Sequence, residues 1–262
     1  MMTSAITELS VGGVPLTITE QGDGRPVLLL HGGGGPQSVA GFADLLAGFR
    51  PARVLTPVHP GFGDTPRPTT LRTIGGLADL YTALLDDLDL RDVIVIGNSV
   101  GGWIAAELAL RAGPRIARVI LVDAAGLQVP GHPVADIFPL SPAELSALSF
   151  YDPAAFRIDP ASMTEDQRRV QAGNREALAV YGGQSMTDPG LNARLGDLNL
   201  PVLVVWGEAD QIVDLDYGRA YAAAIPAAQF LVMDRAGHLP QLETPAALVQ
   251  AVWDFAVPGA AD

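Results

Sequence analysis

The sequence predicts an α/β fold built on a doubly wound, mostly parallel sheet. Short apolar runs that are typical of buried strands alternate along the chain with longer segments of helical periodicity. This alternation favours a parallel sheet that helices cover on both faces. The 262 residues, 48% of them hydrophobic, are enough to bury a sizeable core. The length fits one α/β domain with an insertion as well as it fits two domains.

The predicted elements follow one another in chain order. Residues 5–20 predict an antiparallel strand pair that turns at Gly12-Gly13, and the apolar run 27–30 predicts a short buried strand. The later core elements are predicted as a helix near 38–48, a strand at 53–56, a helix at 73–88, a strand at 93–96, a helix from Trp103 to Arg111, strands at 119–122, 202–206 and 230–233, and a helix from Thr244 to Phe255.

Between residues 126 and 199 the pattern changes. Strand signals stop, prolines recur, and helix starts become the main local signal. Three starts stand out: Ser141 with Glu144 and Ser162 with Glu165, both at capping-box spacing, and Asp188-Pro189, which puts proline at a first helical position. We therefore predict a helical lid over 126–199, inserted into a core domain formed by 1–125 and 200–262.

The pentapeptide Gly97-Asn98-Ser99-Val100-Gly101 directly follows the strand at 93–96 and opens a helix. A serine at the apex of a tight strand-to-helix turn needs glycine on either side, because a Cβ there would collide with the neighbouring strand and helix. A serine hydroxyl is a weak nucleophile at neutral pH, so an imidazole must take its proton and a carboxylate must orient the imidazole. Ser99 is therefore the candidate nucleophile.

Two later loops supply an acid and a histidine. The strand at 202–206 runs into Gly207-Glu208-Ala209-Asp210, and the last strand is followed by Gly237-His238. We predict that His238 is the base and that Asp210 orients it. Three other carboxylates compete for the role of the acid: Asp123 at the end of another strand, Asp214 and Asp216.

These motifs together resemble those of the α/β-hydrolase fold superfamily. They are His31-Gly32-Gly33, Pro60-Gly61-Phe62-Gly63, the nucleophile pentapeptide with Gly102, and the acid and histidine loops, and they span nearly the whole chain. The chain order serine, acid, histidine is also that of this superfamily. The resemblance implies a catalytic triad of Ser99, Asp210 and His238. It further implies an oxyanion hole made by the backbone N–H groups of Val100 and Gly33.

The substrate class is predicted from residues around the nucleophile and from the lid. A glycine loop together with Asn98 before the nucleophile is similar to hydrolases that split carbon–carbon bonds in ring-cleavage products. Those enzymes usually have a tryptophan where this chain has Leu239, and a lid arginine that binds a substrate carboxylate. Five lid arginines are available here: Arg157, Arg168, Arg169, Arg175 and Arg194. Asn98, Leu239 and Gly34 are predicted to contact the substrate.

The main functional prediction is a hydrolase of small, mainly apolar carboxylic esters that acts through an acyl-enzyme. Leu239 and an apolar lid favour a neutral acyl group, since a charged one would lose its water without an assured partner. The lid residues expected to supply inward-facing side chains are Phe138, Leu140, Leu145, Leu148, Phe150, Phe156 and Tyr181. Three alternatives stay open: a carbon–carbon hydrolase of ring-cleavage products, a cofactor-free haloperoxidase or perhydrolase, and a non-catalytic ligand-binding protein on the same fold.

The composition of the chain limits which binding partners and which cellular compartment we expect. A net charge of −13 disfavours nucleic acids and anionic membranes as partners. No apolar run approaches the ~20 residues that span a bilayer, and no signal-peptide pattern opens the chain, so we expect a cytoplasmic protein. The chain has no cysteine, and the acidic loop 210–216 lacks the pattern of a calcium site, so we predict no metal and no cofactor. The expected partner is a small-molecule substrate, and the sequence leaves a homo-oligomer open.

Overall fold

The core of the protein is one eight-stranded sheet. The computed structural model describes residues 4–156, 162–226 and 228–257. The strands are β1 (Ser4–Val11), β2 (Val14–Gln21), β3 (Arg25–Leu30), β4 (Ala52–Pro57), β5 (Val93–Asn98), β6 (Ile116–Val122), β7 (Val202–Gly207) and β8 (Gln229–Met233). Their order across the sheet is β1-β2-β4-β3-β5-β6-β7-β8. The β1–β2 and β2–β4 pairs are antiparallel and the later pairs are parallel, so the predicted sheet is confirmed.

Helices cover both faces of this sheet. In the described part of the chain they are α1 (Gln37–Phe49), α2 (Ile74–Asp87), α3 (Val100–Ala109), α4 (Pro142–Ser149), α5 (Glu165–Gly182), α6 (Leu191–Leu195), α7 (Leu215–Ala223), α8 (Pro240–Glu243) and α9 (Pro245–Ala256). Val93 and Val95 of β5 pack in the core cluster with α2, α3 and α7, whereas Ile94 and Ile96 pack with α1 and α9. Burial on both faces explains why β5 is a continuous apolar run.

The helix after the nucleophile begins earlier than predicted. α3 starts at Val100 rather than Trp103, so Ser99 is the residue that precedes it. All ten residues of α3 are buried, and a helix buried on every side lacks the amphipathic period that would mark its start in the sequence. The early start puts Ser99 at the positive end of the helix dipole.

Two of the three predicted lid helix starts are wrong. The box at Ser141 and Glu144 forms, with the Ser141 N–H donating to Glu144 Oε2 at 2.8 Å. The next helix is capped instead by Thr164 and Gln167, a pair with the same spacing as Ser162 and Glu165. The later start puts Glu165 and Asp166 in the first turn, where the helix dipole favours negative charge.

The third predicted helix start, at Asp188-Pro189, also differs from the observed one. α6 begins at Leu191, because the Asp188 side chain and carbonyl accept hydrogen bonds from the N–H groups of Gly190 (2.8 Å) and Leu191 (3.1 Å). Pro189 therefore lies in the turn before the helix rather than at its first position.

The two ends of the insertion meet beside the sheet. Gly126 donates to the carbonyl of Met186 at 3.2 Å and accepts from the N–H of Asp188 at 2.7 Å. Beyond this closure, the chain packs as part of the core, since Leu191, Leu195 and Leu198 are all buried there. The loop closed in this way carries α4 and α5. Among the residues that the structure describes, no helix has both the length and the apolar character of a membrane span.

Candidate active site

Ser99 lies on a sharp turn between β5 and α3. Its φ of 55° and ψ of −121° are strained for a residue with a Cβ. A Cβ added to Gly97 would overlap the carbonyl oxygen of Gly101, and one added to Gly101 would overlap that of Leu30. The Ser99 N–H donates to Val122 at 2.9 Å. Close packing of strand, turn and helix thus requires both glycines and holds the strained serine in place.

The structure brings the three predicted triad residues into one hydrogen-bonded row. His238 Nε2 lies 2.8 Å from Ser99 Oγ, and His238 Nδ1 lies 2.8 Å from Asp210 Oδ2. A carboxylate only accepts, so the Nδ1 proton is donated to Asp210 and the Nε2 lone pair faces the serine hydroxyl. Asp210 Oδ1 accepts from the N–H groups of Ile212 (2.8 Å) and Val213 (3.2 Å). The arrangement has the geometry that proton transfer from Ser99 to His238 requires.

The glycine loop lies beside the nucleophile and under the lid. A Cβ added to Gly32 would lie 3.2 Å from the Cβ of Ser99, and one added to Gly33 would lie 2.8 Å from Cδ2 of Leu178 on α5. Among the described residues, neither the Gly33 nor the Val100 N–H donates to another group. Both groups are therefore free to stabilise an oxyanion, and that role remains a prediction.

Asn174 of α5 holds the glycine loop to a second loop. This residue is 5% exposed. Its Nδ2 donates to the carbonyl of Gly34 at 3.2 Å, and its Oδ1 accepts from the N–H of Gly63 at 2.8 Å. Sequence reasoning missed Asn174, since an asparagine on a polar lid helix has no local signal that separates it from a solvated one. The amide fixes the backbone next to the predicted oxyanion donor at Gly33.

Asn98, predicted to contact the substrate, is instead bonded within the protein. Its Nδ2 donates to the carbonyls of Val122 (3.3 Å) and His238 (3.0 Å), and its Oδ1 accepts from Gln241 Nε2 at 3.1 Å. Asn98 is 3% exposed. These bonds tie the turn at Ser99 to the backbone of His238, and the contact of Asn98 with a substrate stays a prediction.

The other two predicted substrate contacts have different surroundings. Gly34 is exposed, and its carbonyl is held by Asn174. This hydrogen bond supports the loop, and the predicted contact of Gly34 with the substrate stays a prediction. Leu239 is half-buried directly after His238 and precedes α8, so its predicted contact with the substrate stays open.

Buried histidines connect the glycine loop to the loop at 59–63. The His59 N–H donates to His31 Nε2 at 3.1 Å, and His31 Nδ1 lies 2.8 Å from the Gly32 carbonyl. His59 Nε2 lies 3.0 Å from the His31 carbonyl, which leaves His59 Nδ1 to accept from the Tyr81 hydroxyl at 2.5 Å. Each ring thus has one proton and is neutral. Burial lowers the pKa of His31 to about 4 and, together with the charge His31 would carry, lowers the pKa of His59 well below its ordinary value.

We expect the free energy of unfolding to fall as the pH drops from 6.5 towards 4. Unfolded histidines take up protons in this range, whereas His31 and His59 stay neutral when folded, so acid favours the unfolded chain. The shift of His31 from 6.5 to about 4 corresponds to about 3 kcal/mol. Urea unfolding at several pH values measures the slope. A His132→Gln control should retain it, because that histidine is paired with Asp214 at the surface.

The described lid arginines are each bonded within the protein. Arg175 donates to three carbonyls at the end of the segment before α4, those of Ile137, Phe138 and Leu140. Arg194 pairs with Asp188 at 2.7 Å and with the buried Glu107 of α3. The exposed Arg168 and Arg169 bond to the Met163 carbonyl and to Asp64 and Asp166, respectively. Arg157, the fifth candidate, lies outside the described residues.

The end of α4 is bonded to both catalytic loops. The His238 N–H donates to the Ser149 carbonyl at 2.7 Å, and the Gln211 N–H donates to the Leu148 carbonyl at 3.1 Å. Glu243 adds a side-chain link: its Oε2 accepts from the N–H of Gly237 at 2.6 Å, and its Oε1 accepts from that of Tyr151 at 2.9 Å. The end of α4 is therefore held against the loops of Asp210 and His238.

Aromatic lid residues take two positions. Tyr181 is buried, donates to the Pro60 carbonyl at 2.9 Å and stacks on Phe62. Phe150 and Phe156 stack on each other with centroids 4.8 Å apart. Tyr181 thus packs on the loop at 59–63, Leu178 packs on the glycine loop, and Phe138 packs against the main core cluster.

The competing carboxylate Asp123 also lies in the site. It follows β6 with a φ of 46°, and its Oδ1 accepts from the Gly207 N–H at 2.8 Å. The histidine nevertheless donates to Asp210, not to Asp123.

The other two competing carboxylates have partners elsewhere. Asp214 caps α7 by accepting from the Tyr217 N–H at 2.8 Å, and it also pairs with His132 at 2.7 Å. Asp216 pairs with Arg219 at 2.6 Å. Both side chains support the start of α7 and neither hydrogen-bonds the catalytic histidine.

Known proteins with this arrangement match along most of the chain. The model of the Alpha/beta hydrolase family matches residues 27–251. Among curated relatives, the 2-hydroxymuconate semialdehyde hydrolase of Pseudomonas sp. (strain CF600) is 28% identical over 261 residues, which cover 95% of this chain and 92% of that protein.

Solved structures give the same result. The 2-hydroxy-6-oxo-6-phenylhexa-2,4-dienoate hydrolase from Rhodococcus sp. strain RHA1 superposes with a TM-score of 0.79 at 25% identity, over 97% of this chain and 99% of that one. A thermophilic esterase from Thermogutta terrifontis superposes with a TM-score of 0.73 at 26% identity, over 97% of both chains. Fold, motifs and family model agree, and the chain therefore belongs to the alpha/beta hydrolase family.

Proposed function

We propose that this protein hydrolyses a carbon–carbon bond next to a ketone in a 2-hydroxy-6-oxo-dienoate. The observation that carries the proposal is the similarity, over nearly the whole chain, to curated proteins named as hydrolases of such compounds. From sequence alone, a carboxylic ester is the main expectation and this reaction is an alternative. The curated relatives support the second better, because their names specify dienoates and muconate semialdehyde rather than esters.

The first half of the reaction uses the row of hydrogen bonds from Ser99 to Asp210. His238 Nε2 takes the hydroxyl proton while Ser99 Oγ bonds to the ketone carbon, and the carbonyl oxygen becomes an oxyanion. The free N–H groups of Val100 and Gly33 are placed to stabilise that charge. Asp210, fixed by two backbone N–H groups, holds the imidazolium in position.

The second half must discharge a carbon leaving group and then free the enzyme. Before the attack, the dienol must have become its 2-oxo tautomer, in which the enol proton has moved to the carbon next to the ketone. When the carbon–carbon bond then breaks, its electron pair is delocalised onto the 2-oxo group as a dienolate, and the imidazolium of His238 supplies the proton that restores the enol. The acyl group stays on Ser99 Oγ. Water, deprotonated by His238, then hydrolyses the acyl-enzyme, so that one water is added across the original bond.

A carboxylic ester is the second candidate, and specific observations favour it. Each described arginine of the predicted lid already bonds to a protein group, which leaves a dienoate carboxylate without an assured partner. Leu239 offers no hydrogen-bond donor beside the histidine. The superposition on an esterase also shows that this fold serves ester hydrolysis.

A direct comparison of substrates tests the proposal. We expect kcat/KM for a 2-hydroxy-6-oxo-dienoate to exceed that for a short p-nitrophenyl ester at least a hundredfold, at one pH and ionic strength. A higher kcat/KM for the ester would replace the proposal by the second candidate. Ser99→Ala should abolish both reactions, which ties any activity to this site.

Each of the two non-hydrolytic alternatives predicts a different result in the same series of assays. A haloperoxidase or perhydrolase would oxidise halide only when acetate and peroxide are both present. A binding protein would be stabilised against heat by the dienoate without multiple turnover. Either pattern in the absence of dienoate and ester hydrolysis would contradict the proposed function.

A further inference from the structure

Two buried carboxylates lie together beside the catalytic histidine. One side-chain atom each of Asp123, Asp210 and His238 lies within 4.8 Å of the other two. Asp123 is fully buried, and the side chain of Asp210 is also fully buried. No arginine among the described residues forms an ion pair with either carboxylate. Two negative charges at this distance, both without solvent, would repel each other strongly.

The hydrogen bonds distinguish the two carboxylates. Both oxygens of Asp210 accept: Oδ2 from His238, and Oδ1 from Ile212 and Val213. Asp123 Oδ1 accepts from Gly207, but its Oδ2 is buried and receives no hydrogen bond from the described residues. An anionic oxygen left without a donor beside another anion is strongly disfavoured, whereas a protonated oxygen in the same place is itself a donor.

We propose that Asp123 is a neutral carboxylic acid whose Oδ2 proton is donated to Asp210, and that it acts as a positioning residue for the triad. The proposal rests on the proposed use of Asp210 and His238 in hydrolysis, and not on which substrate is cleaved. Burial, followed by the charge of Asp210, raises the pKa of Asp123 well above its ordinary value; Glu243 adds to the shift and the Gly207 N–H opposes it.

The donated proton has two effects on the triad. It holds the carboxylate of Asp210 in the plane that meets His238 Nδ1. It also draws negative charge away from the oxygen that faces the imidazole. Removing the donor should therefore move the acid limb of the kcat/KM profile to higher pH.

Two substitutions of Asp123 distinguish a neutral carboxylic acid at this position from a charged carboxylate. Asn has the shape of a protonated aspartic acid: its oxygen can accept from Gly207 and its NH2 can donate to Asp210. We expect Asp123→Asn to retain kcat/KM within about threefold and to leave the acid limb of its pH profile in place. Asp123→Ala should move that limb to higher pH. If both variants move it to lower pH, Asp123 is an anion; if neither moves it, Asp123 does not tune the histidine. Either result overturns the proposal.

A measurement of unfolding stability needs no turnover, so it tests the protonation of Asp123 independently of the proposed function. Between the ordinary aspartate value and its raised value, the native state holds one proton on Asp123 that the unfolded chain has lost, so the contribution of Asp123 to wild-type stability falls as pH rises. Asp123→Asn removes that proton. The ratio of the wild-type and Asp123→Asn unfolding constants should change about tenfold per pH unit across this range, and the histidine contributions cancel in the ratio.

Infrared spectroscopy gives the corresponding signature. The carbonyl band of a protonated, buried carboxyl group should be present at neutral pH and absent from Asp123→Asn. Asp234→Asn, at an exposed position near the histidine loop, is the matched control and should leave both the band and the ratio unchanged. A pH-independent ratio, or no such band in the wild type, would show that Asp123 is ionised.

Discussion

Turnover should fall about 10⁶-fold when Ser99 is replaced by alanine. The substitution removes the only hydroxyl that lies within 2.8 Å of His238 Nε2 among the described residues. The fold should survive, since alanine keeps the Cβ that the strained turn already holds. A fluorophosphonate probe should label the wild-type protein at this residue alone and leave Ser99→Ala unlabelled.

Ser185→Ala is the control for this experiment. That serine is exposed and bonds only to Thr187 in the described part of the chain, so both labelling and turnover should be retained. Labelling that persists in Ser99→Ala would mean that another residue is the nucleophile.

Asp210→Asn should lower kcat about 10⁴-fold. The carboxylate accepts from His238 and from two backbone N–H groups. An asparagine can present its NH2 group to Nδ1 of His238, and Nδ1 then has to accept a hydrogen bond. In that tautomer the ring proton is on Nε2, which can no longer take the proton of Ser99. Steady-state kinetics of the folded variant measures the loss.

The matched substitution is Asp123→Asn, which changes the neighbouring carboxylate by the same atoms. It should cost far less, because the histidine donates to Asp210 and not to Asp123. A larger loss at Asp123 than at Asp210 would reverse the assignment of the acid.

The parts of the site that sequence could predict are those with local signals. Ser99 is marked by glycines that close packing requires. Asp210 follows the buried strand β7, and His238 follows the apolar, half-buried strand β8. Because parallel strands end at the same edge of the sheet, order along the chain was enough to bring the three side chains together.

Residues whose contacts depend on distant partners have no local signal in the sequence. The hydrogen bonds of Asn98 to Val122 and Gln241 could not be predicted, because both partners lie far from it in sequence. Asn174 reaches the glycine loop across 140 positions. Where local patterns were equivalent, as at Ser162 and Thr164, helix-dipole electrostatics accounts for the start at Thr164, and spacing alone could not show this.

The segment that carries α4 and α5 is attached differently at its two ends. The end of α4 shares backbone hydrogen bonds with the loops of Asp210 and His238, so a displacement of α4 would break hydrogen bonds to both loops. α5 rests on the glycine loop through Asn174 and Leu178. A displacement of α5 would therefore break the hydrogen bonds that hold Gly34 and Gly63, so the position of α5 and the geometry of the glycine loop are coupled.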